Sequence, residues 1–194
     1  MKSLNSFVVS VKKRYEDEIE TEGGLKLYID TKYEPFKHRV NEGEVVATPA
    51  KFETGVEVGD TLYFHHLVVL ADGQPLPVAD DNYVVRYDPD LAINSQAIAY
   101  KSKATGDVIP LSTWSVLRHV EQEPEVDSSV IEVVKLKEPT VKKAEVALEN
   151  DKTEEIGVKK GDIVGIMKNM DYPFKIDGET YYRTRIEDLL YVEK

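Results

Sequence analysis

One short segment occurs twice in this chain. Gly55-Val-Glu-Val-Gly-Asp60-Thr-Leu-Tyr-Phe64 returns as Gly157-Val-Lys-Lys-Gly-Asp162-Ile-Val-Gly-Ile166, about 102 residues later in a chain of 194. In each copy a valine leads in, Gly-Asp makes a tight turn, and an apolar segment leaves. Glycine accepts a positive φ, and an aspartate side chain can bond the backbone beside it. The residues that follow are mostly β-branched or aromatic and suit a strand. One Gly-Asp turn is common in small β-barrels. Two, half a chain apart and each followed by a matching strand, point to one domain built twice.

The length allows two small domains. At 41% apolar and 31% charged residues the chain is globular. No apolar run approaches a membrane span, and the N-terminal Met1-Lys-Ser-Leu-Asn-Ser-Phe7 lacks a signal-peptide core. A cytoplasmic location is the expectation, the host cytoplasm if a phage encodes the chain. With no cysteine, disulfides, thiolate zinc sites and cysteine nucleophiles are excluded. A net charge of −11 with dispersed lysines and arginines opposes binding to nucleic acid or anionic membranes. The expected partner is another protein.

Short apolar runs alternate with turn signals along the chain, and this predicts an all-β fold. Strands are expected at residues 6–14, 43–47, 61–70, 83–87 and 91–100 in the first half. The second half repeats them at 113–120, 144–147, 163–166, 181–185 and 187–192. Asp72-Gly73 and Asp177-Gly178 are hairpin signals, and Pro75 and Pro77 mark an extended or edge segment. Trp114 is expected in the core of the second half. Acidic runs at 16–22, 121–127 and 149–155 are expected as solvated loops. Residues 25–42 begin as a strand and continue as a long polar loop, and loops of that length are often functional.

In this order the motifs resemble the GroES-like co-chaperonin family, the ten-kilodalton chaperonin fold, present twice. A valine-rich first strand, an acidic segment, Gly23-Gly24, the tripeptide Leu25-Lys26-Leu27, Gly43-Glu-Val-Val and Val58-Gly-Asp-Thr-Leu-Tyr-Phe64 carry it in the first half, closed by Asp90-Leu-Ala-Ile93. Ala144-Glu-Val, Lys160-Gly-Asp-Ile-Val and Glu187-Asp-Leu-Leu-Tyr-Val192 carry it in the second. The resemblance implies two tandem GroES-like small β-barrels, at residues 1–105 and 106–194. A candidate mobile loop spans residues 23–42. It also implies a ring, of the homo-heptamer kind, that caps a GroEL-like chaperonin and assists protein folding. Gly23, Gly24, Leu25, Lys26 and Leu27 would then bind the chaperonin apical domain, with Val130, Ile131 and Val133 as a second candidate loop. Tandem copies resemble plastid co-chaperonins, and single copies occur in phages. In this chain the tripeptide carries a charge at its middle position, and the second half has no Gly-Gly pair.

No catalytic, metal or cofactor site is expected. Adjacent His65 and His66 would point to opposite faces of a regular strand and could not chelate one ion. His38 and His119 belong to no metal-binding pattern, and no phosphate-binding glycine loop or nucleophile elbow occurs. Zinc-dependent alcohol dehydrogenases share a GroES-like barrel, but their cysteine ligands and nucleotide-binding domain are missing here. A virion or assembly-scaffold protein on duplicated co-chaperonin-like barrels is the alternative function. Within each half, the first strand is expected to pair with the last: Phe7–Lys12 with Leu91–Ala99, and Thr113–Val120 with Leu189–Val192.

Overall fold

The computed structural model describes residues 2–21, 23–31, 38–69, 74–75, 81–120 and 141–193. The chain divides into two compact units, Met1–Ser112 and Thr113–Lys194. Among the described residues both are antiparallel β-structure with almost no helix.

The first unit contains β1 (Ser6–Ser10), β2 (Glu18–Glu20), β3 (Lys26–Tyr28), β4 (Glu42–Ala47), β5 (Thr61–Phe64), β6 (Gln74–Pro75), β7 (Asn82–Arg86), β8 (Ala97–Lys101) and β9 (Val108–Pro110). Seven of them form one sheet in the order β6-β7-β1-β4-β5-β8-β9, and β2-β3 stands apart as a hairpin. Pro75 lies on the edge strand β6, the place in a sheet that tolerates proline. The core gathers Phe7, Val9, Val45, Leu62, Phe64 and Val85, each almost wholly buried.

The second unit contains β10 (Trp114–His119), β11 (Val141–Leu148), the one-turn helix α1 (Asp151–Glu155), β12 (Ile163–Met167), β13 (Tyr172–Ile176), β14 (Glu179–Arg185) and β15 (Leu189–Glu193). The sheet order is β13-β14-β10-β11-β12-β15. Its core holds Leu117, Ala144, Val146, Val158, Val164 and Ile166. Asp177-Gly178 joins β13 to β14.

Apart from β9, the two sheets have one order, with β1, β4, β5, β6, β7 and β8 answered by β10, β11, β12, β13, β14 and β15. Bulges recur too, at Val8/Val9 and Val116/Leu117, and at Tyr63/Phe64 and Gly165/Ile166. The Gly-Asp turns are built identically. Gly59 and Gly161 take φ of 96° and 89°, where a side chain would be strained. Each glycine N–H bonds a valine carbonyl, Val45 or Val146, and that valine's N–H bonds the aspartate carbonyl. The aspartate side chain accepts the N–H three residues back, Glu57 to Asp60 at 2.8 Å and Lys159 to Asp162 at 2.9 Å.

Several expectations need correction. First and last strands do not pair within a unit: β1 lies between β4 and β7, and β10 between β11 and β14. Among the described residues no pairing joins the two edges of either sheet. Residues 106–112 go with the first unit, because β9 pairs with β8 and Leu111 enters the first core. The strand expected over 61–70 stops at Phe64, and His66–Val69 turn as a 3-10 helix. That turn breaks the alternation, so His65 and His66 stack at 4.6 Å instead of pointing apart. The acidic runs at 16–22 and 149–155 are not wholly loop: Glu18–Glu20 pair as β2, and Asp151–Glu155 form α1. Asn150 caps α1 by accepting the Thr153 N–H at 3.0 Å, and Thr153 Oγ1 accepts the Asn150 N–H in return. The Asp72-Gly73 signal and the acidic run at 121–127 lie outside the described residues.

Candidate functional site: the β2–β3 hairpin

Beyond β1 the chain leaves the sheet as a two-stranded arm. Its neck is held by backbone bonds from Glu16 N–H to the His38 carbonyl, 2.6 Å, and from Ile29 N–H to the Asp17 carbonyl, 2.8 Å. Tyr15 and Arg39 add a bridge. At the tip Gly24 takes a φ of 76°, which closes the turn. The Gly24 N–H bonds the Thr21 carbonyl at 2.8 Å, and the Thr21 N–H bonds the Leu25 carbonyl at 2.9 Å. β3 then pairs with β2 in the register Glu18↔Tyr28, Ile19↔Leu27 and Glu20↔Lys26.

Alternation along β3 resolves the charge at the middle of the tripeptide. Leu25 and Leu27 fall on one face and Lys26 on the other. Lys26 Nζ lies 3.6 Å from Glu18, which also takes Lys13 at 3.2 Å. The hydrogen bond from Lys13 holds the Glu18 carboxyl below its usual range and lifts the lysine in return. Lys13 is exposed and Glu18 only half-buried, so this pairing at the surface organises the hairpin more than it stabilises it. The leucines stay free of the core: Leu25 is 62% exposed, Leu27 47% and Tyr28 75%. Tyr28 was not singled out in the sequence, although it lies one residue past the tripeptide.

Of the sequence-predicted site residues, Gly23, Gly24, Leu25, Lys26 and Leu27 are brought together at this tip. The second candidate loop, Val130, Ile131 and Val133, lies outside the described residues, as do residues 32–37 of the first. Among the described residues no cluster of three or more histidines and carboxylates is arranged to hold a metal, and no helix is long and apolar enough to cross a membrane.

A second polar cluster sits where β10 ends. His119 Nε2 is 2.7 Å from the buried Asp171 carboxylate, which also takes Lys142 Nζ at 3.1 Å. The imidazole stacks on Tyr182 at 3.5 Å. Partial burial pushes the His119 pKa below its ordinary value of 6.5, with Lys142 adding to the effect and Asp171 opposing it. Unfolding therefore restores a group that protonates more readily. Stability of the second unit should be full above about pH 6.5 and decline as pH falls toward the lower folded value. Urea unfolding followed by Trp114 fluorescence between pH 7.5 and 5.5 checks this. His119→Gln should flatten the slope, and an unchanged slope in that variant would place its origin elsewhere.

No protein-family model matches the sequence, and comparison with curated proteins finds no match.

Proposed function

We propose that this chain is a non-catalytic co-chaperonin built from two GroES-like barrels. It docks the Leu25/Leu27 face of the β2–β3 hairpin into an apolar groove on a GroEL-like apical domain. The observation that carries the proposal is the exposure of both leucines on a hairpin outside the main sheet. Burying them in a partner is worth roughly 1.5–3 kcal/mol each before ordering is counted. One such contact is weak, and useful affinity comes from several copies acting together.

A ring supplies the copies. β8 is covered on its outer side by β9, whereas β15 pairs only with β12 among the described residues. Leu190 and Tyr191 on β15 are 48% and 42% exposed. An open edge strand with exposed apolar residues is a template for a neighbour's strand. This supports self-association, with a heptamer as the proposed form and the cytoplasm as its place.

Leu25→Ser with Leu27→Ser should abolish co-elution with a chaperonin and nucleotide, with native mass and melting temperature unchanged. Normal association by the folded variant would sink the docking proposal. Unfolding would show that the leucines support the fold. The hydrogen-bonded neck of the arm favours a second reading, a virion or assembly-scaffold protein that presents the hairpin as a fixed interface. That reading takes over if the parent chain binds no chaperonin.

A further inference from the structure

Arg183 occupies an unusual setting. It lies on β14, opposite Val116 of β10 and Tyr172 of β13. Trp114 is two residues before Val116, on the same face of β10. The guanidinium carbon sits 3.8 Å from the centre of the Trp114 ring and 4.8 Å from that of Tyr172. Two aromatic rings thus flank the cation. Nε is buried with no hydrogen-bond partner.

Its neighbours on β10 and β14 are arranged differently. Arg118 meets Glu179 at 3.1 Å, and Arg185 grips Asp188 through two bonds of 2.6 and 2.8 Å. Among the described residues no carboxylate does the same for Arg183. Burial pushes its pKa down to about 10, so it is still cationic at neutral pH. Among the described residues this cation meets aromatic faces and no carboxylate, so it has donors left over, and a buried charge is normally given a counter-ion. The residue as a whole is half-buried and Nε is closed off, so a ligand would meet the guanidinium at its Nη1/Nη2 end.

We propose that Arg183, clamped by Trp114 and Tyr172, is a docking site for a carboxylate on an acidic peptide segment of a partner protein. A planar guanidinium fork matches a planar carboxylate through two parallel N–H···O bonds. Arginine, tryptophan and tyrosine are also the side chains that concentrate binding energy at interfaces. The net charge of −11 opposes any anion, and a phosphate dianion more than a single carboxylate, so the fork contact and not the overall field would select the ligand. This site is independent of the β2–β3 hairpin.

Trp114 is the chain's one tryptophan, so its fluorescence reports on the clamp directly. The probes are acetyl-Gly-Glu-Gly-amide, its Gln counterpart and inorganic phosphate, each titrated into the full chain at constant ionic strength. The Glu peptide should give a saturable change and the Gln peptide none. Arg183→Gln should weaken the response by about tenfold or more, and Arg183→Lys, which keeps the charge and loses the fork, by an intermediate factor. Equal responses to both peptides, or to neither, would overturn the proposal. So would tighter binding of phosphate than of the Glu peptide, or full binding by a folded Arg183→Gln. If Arg183→Gln does not fold, the Glu-against-Gln contrast in the parent chain and the Arg183→Lys titration decide it.

Discussion

Phe7→Ala is expected to lower the stability of the first unit by about 3–5 kcal/mol. Phe7 is wholly buried on β1, the strand that pairs with both β4 and β7. Its ring meets Tyr87 edge to face at 5.2 Å, and it belongs to the cluster with Val9, Val45, Leu62 and Phe64. Truncation removes the transfer free energy of the ring and leaves a void that a clamped central strand cannot close by shifting. Hydrogen exchange resolved along the chain should show β1, β4, β5 and β7 losing protection together. A loss under about 1 kcal/mol would mean that the strand is free to collapse into the gap, and that β1 does not anchor this core.

β1 also shows which parts of the fold were legible in the sequence. Phe7, Val8 and Val9 are three successive apolar residues, and all three are buried. Such a run reads as a strand covered on both faces, and composition is enough to find it. The Gly-Asp turns were legible for another local reason: a positive φ at glycine and a carboxylate reaching the N–H three residues back are properties of the turn segment itself. Strand order is not local. Whether β1 lies beside β8 or between β4 and β7 depends on pairings many residues apart, and the first-with-last expectation failed there. The strand expected over 61–70 failed because Leu67, Val68 and Val69 are as apolar as the strand before them. Burial of Val68 and Val69 by a 3-10 turn has the same hydrophobic signature.

The hairpin tip was legible in part. Gly23-Gly24 marked the turn, and Leu25 and Leu27 marked an apolar pair. The position of Lys26 was not, since its meeting with Glu18 needs the β2–β3 register. The Trp114–Arg183–Tyr172 clamp was out of reach. Its members come from three strands, and nothing at Arg183 distinguishes it from Arg185, two residues on. Trp114 is buried, as expected of a core residue, but its ring face meets a cation.

The duplicated turn makes an internal control for the last expected result, which is that Asp60→Ala destabilises more than Asp162→Ala. Both carboxylates cap their turn with one backbone N–H, at 2.8 and 2.9 Å. Asp60 does more: its second oxygen accepts the Lys103 N–H at 2.9 Å, tying the β4–β5 turn to the segment between β8 and β9. Asp60 is also almost wholly buried, whereas Asp162 is half-buried. Alanine at 60 therefore strands two N–H donors in a place water reaches poorly, and alanine at 162 strands one near solvent. Bonds to a charged acceptor contribute about 1.5–3 kcal/mol each, so the losses should be about 3–6 kcal/mol for the two bonds at Asp60 and about 1.5–3 kcal/mol, toward the lower end near solvent, for the one at Asp162. Asp60→Asn, which keeps an acceptor oxygen, should recover part of the difference. Urea unfolding of the three variants measures it. Equal losses at the two positions would mean that the bond to Lys103 adds nothing. The unit-one turn would then be no more than a copy of its partner, even though β9 covers β8 only in the first unit.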